Sequence, residues 1–225
     1  YITAVESYQE ATASILEGMN KAFDIPLKSQ ITSLKGFVES MMSSQKPRVK
    51  VGMVMMERFW RTKYGESYVD KMMADSNILD KIKDKSKRKA YEDAWKSLPK
   101  NSDGTLDWEK AINTLTKREK NMFRFAESQF KPDSDSAKKQ MIANAKRGMK
   151  FVPAENYFPV NRTLGVQGKD ISMDELKEIL FTKISSDRGL DQKSKQVSFV
   201  EMDLFNVLSE YTHQVNRDFY LTDPV

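Results

Sequence analysis

The chain has one histidine, His213, and an imidazole is the usual general base at neutral pH. A Ser-His-Asp arrangement would need it, but no Gly-x-Ser-x-Gly elbow accompanies it. His213 lies beside the apolar stripe of the last helical segment, which points to a structural or surface role. A metal site built on several histidines is excluded. The absence of cysteine removes a thiol nucleophile, a zinc-cysteine site and a disulfide scaffold, and fits a reducing compartment. The run "NSDGTLDWEK" invites a calcium-loop alignment on Gly104. That alignment puts Pro99 and Lys110 where the first and last ligands should be carboxylates, so it fails. Pro132-Asp133 with Glu175-Leu176-Lys177 has the residue types of a metal-dependent nuclease, but 31% of the chain is charged and such triplets arise by chance. Gly165-Val166-Gln167-Gly168-Lys169 lacks the spacer and hydroxyl of a phosphate-binding loop. No catalytic, cofactor-binding or metal-binding residue is assigned. Whether the chain is an enzyme stays open, and a non-catalytic role is preferred.

Cations are the more abundant resource. Net charge is +5, unevenly spread: +7 over residues 46–100 and +4 over 101–150, against −2 over 1–45 and −4 over 151–225. Lys81, Lys83, Lys85, Lys87, Arg88 and Lys89 crowd one run, with Lys46, Arg48 and Lys50 upstream. Lys138, Lys139, Lys146, Arg147 and Lys150 decorate a later helix. Gathered on one surface, these groups could neutralise phosphates and bind nucleic acid, DNA or RNA, without sequence preference. The competing view is a solvated helix face laced with Asp80, Asp84 and Glu92. At about 100° per residue, Lys81, Lys85 and Arg88 share one face and Lys83 and Lys87 another, so the charge wraps the helix. A basic middle between acidic ends could equally attract neighbouring copies or domains.

The elements that must position these groups are helical. At 225 residues the chain suffices for one large domain or two small ones, and 12 Phe, 8 Tyr, 3 Trp and 13 Met can build a core despite a mean hydropathy of −0.63. No apolar run approaches the roughly 18 residues of a membrane span. Apolar spacing predicts helices over 3–23, with Thr3-x-x-Glu6 as capping box and Pro26 as the stop, over 27–42, and over 51–74 after a break at Pro47. Residues 77–93 continue helically. A long helix follows over 107–130 with Asp107 as N-cap, then one from Asp135 or Ser136 to about Lys150. Ser172-x-x-Glu175 opens a short helix, and Ser198-x-x-Glu201 caps the last, whose stripe is Leu204, Leu208, Tyr211, Val215 and Phe219. The expected fold is all-α, an irregular bundle of about eight or nine helices. Residues 1–150 form a helical region with a basic middle, and 151–225 an extended strap plus C-terminal helices. A start at Tyr1 instead of Met leads us to expect one segment of a longer polypeptide.

The strap is "MKFVPAENYFPVNRTLG", residues 149–165. Pro153 and Pro159 remove backbone donors and push their predecessors toward extended geometry, so no helix spans 152–159. An aromatic-rich extended segment is costly in water. Tyr157, Phe158 and Val160 are therefore expected to plug into the grooves between helices, so that the segment, Pro159 included, acts as a strap across the bundle. The alternative is an exposed anchor for a partner, with Arg162 beside it.

Glu155-Asn156-Tyr157-Phe158-Pro159 followed by Arg162 resembles an "NYFP" signature of very large, multidomain bacteriophage proteins, among them internal virion (cargo or ejection) and polyvalent proteins. In that group a polar loop with Arg and Gly follows, then a helix bearing Tyr and Arg. Here these are matched by Arg188-Gly189-Leu190 and by Val207-Leu208-Ser209-Glu210-Tyr211 through Arg217-Asp218-Phe219-Tyr220. The resemblance covers residues 151–220. It implies a non-catalytic structural or packaging module of a larger virion-associated protein, in the virion interior or tail, working through contacts with other subunits or flanking domains. Without it, a cytoplasmic nucleic-acid-binding module or an accessory domain of a larger enzyme is the alternative.

Overall fold

The computed structural model describes residues 2–25, 45–75, 79–80, 82–148, 150–151, 153–159 and 200–221. Among these the fold is an all-α bundle of eight helices, with an isolated β-bridge between Lys100 and Leu106. The helices are α1 (Ile2–Ala22), α2 (Gln45–Tyr64), α3 (Tyr68–Ala74), α4 (Lys85–Lys96), α5 (Trp108–Thr114), α6 (Lys117–Phe130), α7 (Asp135–Lys146) and α8 (Leu204–Tyr220). The expected helices over 27–42 and 172–184 lie outside the described residues.

Helix α2 is the axis of the bundle. Val51, Gly52, Met53, Val54, Met55 and Met56 are consecutive and all buried, so the helix is enclosed on every side. α3, α4, α5, α6 and α8 pack around it, while α1 and α7 flank α8. Methionine suits such a position, because its flexible thioether fills irregular gaps between neighbours arriving from several directions.

Several boundaries differ from the expected ones. Pro47 does not break the chain; it sits in the first turn of α2, where its missing N–H would have had no intrahelical partner. The predicted helix over 51–74 is two helices, because Gly65 takes a left-handed φ of 73° and Ser67 opens α3 as an N-cap. The predicted long helix over 107–130 also divides. Asp107 caps α5 as expected, but Thr116 and Glu119 form a reciprocal capping box that starts α6 afresh. Residues 82–84 are not helical, and Asp84 caps α4 by accepting from the Ser86 and Lys87 amides. Helix α7 starts at Asp135 as expected, capped by Ser134, but ends at Lys146, short of the expected Lys150. Asp203, not Ser198, caps α8. Thr3 lies inside α1, and α1 ends ahead of Pro26. Asp24 there adopts a φ of 54°, and the Ile25 amide returns to the Asn20 carbonyl at 3.0 Å.

Candidate interaction site

Two short non-helical segments, 153–159 and 200–203, are laid onto the helices, and the groups with interaction chemistry gather where they dock. The first is the strap. Phe158 is 0% exposed, Pro159 is buried beside it, and the Phe158 ring meets Phe130 edge-on at 6.1 Å. Half-buried Tyr157 is edge-on to Phe59 at 5.8 Å and to Phe130 at 6.5 Å, and Tyr211 adds a third ring 6.3 Å away. This ring cluster ties α2, α6 and α8 together through edge-to-face contacts. Asn156, at φ 53°, makes the turn that presents both aromatics, a conformation asparagine tolerates better than most residues. Burial pushes the Tyr211 hydroxyl above its ordinary range, with Tyr157 adding to the effect. Arg162 and Val160 lie outside the described residues.

Beside the turn a cleft of about 300 Å³ opens between α2, α6 and the strap, with Met55, Phe130 and Tyr157 at its apolar wall. Three of the charged residues that line it are paired. Arg58 donates to Glu127 at 2.9 Å and stacks over Phe123 at 4.9 Å. Lys131 pairs with Asp133 at 3.3 Å.

The second segment, 200–203, threads across α2 and α4. Arg48 and Asp203 form a two-pronged ion pair, 3.0 Å on each prong, with side chains 5% and 1% exposed. Asp203 also accepts from the Phe205 amide, so a single carboxylate neutralises a buried guanidinium and starts α8. Burial pushes its carboxyl up, against the pull of Arg48. Next to it, the Tyr91 hydroxyl donates to Glu201 at 2.7 Å and accepts from the Met202 amide at 2.7 Å. Lys87 pairs with the other Glu201 oxygen. Burial opposes ionisation of Glu201, but the Lys87 ammonium and the bonds from Lys87 and Tyr91 outweigh it and hold the carboxyl below its usual range. Burial, then Glu201, pushes Tyr91 well above its ordinary value.

A third polar cluster joins α2, α3 and the 100–106 turn. Glu57 is 0% exposed, accepts from the Val69 amide at 3.1 Å and pairs with Arg61. Asp70 accepts from the Leu106 amide at 3.1 and 3.2 Å and from Ser67. The Lys100 ammonium sits on the Trp95 ring face without a hydrogen-bond partner, and burial lowers it to about 8 although Asp70 and Glu57 pull the other way.

These contacts absorb much of the basic run. Lys87 is held by Glu201, and Arg88 by Asp80 together with the Asp80 and Ile82 carbonyls. Lys138 pairs with Asp135, and Arg147 with Asp218. Lys139 donates to Asn216 at 2.7 Å and lies over the Tyr220 ring. Lys146 is exposed above Phe219, and Lys83, Lys85 and Lys89 are exposed on or next to α4. Lys81 lies outside the described residues. The other exposed lysines of these runs are spread over several elements: Lys83, Lys85 and Lys89 on or next to α4, Lys146 on α7, Lys150 beyond its end, and Lys46 in the first turn of α2.

His213 Nδ1 is within 2.9 Å of the Tyr8 hydroxyl, a contact between α8 and α1. Among the described residues no group of three His, Asp or Glu side chains is placed to hold a metal ion, and no helix is long and apolar enough to cross a membrane.

Sequence reasoning did not single out Gly52, Tyr91, Lys100 or the Arg48–Asp203 pair. One signal was available: a lone glycine inside the apolar run "VKVGMVMM" marks a close backbone approach. No family model, curated protein or solved structure matches the chain.

Proposed function

We propose that this chain is a non-catalytic, helical structural or packaging module of a larger phage virion-associated protein, acting through protein–protein contacts. One observation carries the non-catalytic part. The buried and half-buried charged groups where the 200–203 segment docks are spent on one another, as in Arg48 with Asp203 and Lys87 with Glu201, and on capping α8. Groups used this way hold segments in place and are unavailable as general acids, general bases or metal ligands. The virion part rests on the resemblance of Glu155–Pro159 and its downstream helix to the "NYFP" segment. An all-helical chain with a methionine-rich interior also suits a protein that must deform and repack during transit through a narrow channel.

Quantitative mass spectrometry of purified particles, full of genome and then emptied, tests this role. Peptides abundant in full particles and depleted in emptied ones identify packaged, ejected cargo. Equal abundance identifies a fixed part of shell or tail. Absence from both removes the virion role, and the exposed lysines Lys83, Lys85 and Lys89 then make salt-dependent nucleic-acid binding the role to measure.

A further inference from the structure

Helix α7 is packed inside out. Its buried residues are small, Ser136, Ala137 and Ala143, whereas Met141 and Ile142 are 44% and 47% exposed. Among the described residues the only other large apolar side chain with such exposure is Ile2, on α1. Lys138, Met141, Ile142 and Ala145 recur at i, i+3, i+4 and i+7, so they form one solvent-facing stripe, with Lys146 at its edge. An ordered helix that turns its large side chains outward has the signature of a docking face.

Helix α1 carries a stripe of opposite character. Glu6, Glu10, Ala13 and Glu17 are all exposed and fall at i, i+4, i+7 and i+11, again on one face. Each stripe has one counter-charge at one end. Lys21 pairs with Glu17 on α1 at 2.9 Å, and Asp135 pairs with Lys138 on α7 at 3.4 Å.

We propose that these faces meet between copies of this chain, with α1 of one copy lying antiparallel along α7 of another. In a single register Lys21 falls opposite Asp135 and Glu17 opposite Lys138. Ala13 and Ser14 then fall opposite Met141 and Ile142, and Glu10 opposite Lys146. The axial spacings agree: at about 1.5 Å per residue, Lys138 to Lys146 spans about 12 Å and Glu17 to Glu10 about 10.5 Å. The small Ala13 leaves room for Met141 and Ile142 against the α1 backbone, while each flanking charge meets its opposite. A lipid surface or a nucleic acid presents one sign of charge and does not match this alternation. The contact joins unlike faces, so each copy offers both halves. The inference goes beyond the virion role and does not rest on it; a failure here leaves the particle experiment untouched.

Sedimentation velocity of the full chain over a range of concentration and salt is the test, with circular dichroism to check that each variant is folded. The wild-type chain self-associates at low salt, and association weakens as salt rises. Reversing α7 (Lys138→Glu with Lys146→Glu), or reversing α1 (Glu10→Lys with Glu17→Lys), weakens association by about tenfold or more. An equimolar mixture of the two reversed chains associates again, because each supplies the face the other lacks. Met141→Ser with Ile142→Ser abolishes association without loss of helix. A wild-type chain that stays monomeric at low salt overturns the proposal. So does a mixture of reversed chains that fails to associate, an outcome that assigns these faces to a different occupant.

Discussion

Gly52 and Met202 meet backbone to backbone: a Cβ placed on Gly52 would lie 1.9 Å from the Met202 carbonyl oxygen. No side chain can swing aside to relieve that contact, so Gly52→Ala must lift residues 200–203 off α2. Lifting them strains the Arg48–Asp203 pair and the bond from the Met202 amide to Tyr91. Alanine favours a helix interior by about 1 kcal/mol over glycine, and the clash exceeds this. We expect Gly52→Ala to lower stability by about 3 kcal/mol, read from the urea midpoint. An unchanged midpoint would mean that the segment does not sit in this groove.

Phe158 bears on the strap in the same way. Its ring is fully buried against Phe130, so Phe158→Ala leaves a cavity and is expected to cost about 3–5 kcal/mol. Glu155→Ala, on the exposed side of the same turn, should change stability by less than about 0.5 kcal/mol. Thermal melts of the two variants make the comparison. If Phe158→Ala leaves the midpoint in place, the ring belongs to a partner-binding role instead of the core.

The buried pair of Arg48 and Asp203 gives an asymmetric expectation. Removing the carboxylate alone, in Asp203→Ala, strands a guanidinium that is 5% exposed and should cost about 3–5 kcal/mol. Replacing both, as Arg48→Met with Asp203→Leu, should cost much less, leaving mainly the lost α8 cap at about 1 kcal/mol. Denaturant titration of the single and double variants closes the cycle. Additive losses would show that the two groups do not act as a pair.

How much of this was legible in advance depends on whether the determining contact is local. The helical content was, because apolar spacing and caps such as Asp107 are written within a few residues. Pro153 and Pro159 likewise forbid a helix over the strap whatever surrounds it. The errors came where a local rule had two outcomes. Pro47 can stop a helix or start one, and Thr116-x-x-Glu119 could pass for exposed helix interior until its capping box was seen closed. The charged seam was not legible at all. Arg48 and Asp203 are 155 positions apart, and nothing near Arg48 distinguishes it from the lysines around it. Charge tallies by region gave only the sign of the attraction, basic middle to acidic C-terminal part, which Lys87–Glu201 and Arg147–Asp218 also express.

Alkaline pH offers a test of the third cluster. Burial lowers the Lys100 ammonium to about 8, below the ordinary 10.5 it regains on unfolding. Between those values the unfolded chain binds a proton that the folded chain does not, so stability rises with pH. Lys139, also lowered by burial, contributes with the same sign. Tyr91 and Tyr211 act oppositely. Their folded values are raised, so above about pH 10 the unfolded chain loses protons that the folded chain keeps, and stability falls. The urea midpoint should therefore climb from about pH 8, crest near about pH 10, and then decline. Lys100→Met keeps the hydrophobic stem, removes the charge from the Trp95 face, and should flatten the climb while leaving the decline. A climb of the same size in Lys100→Met would show that its ammonium is solvated and not held against Trp95.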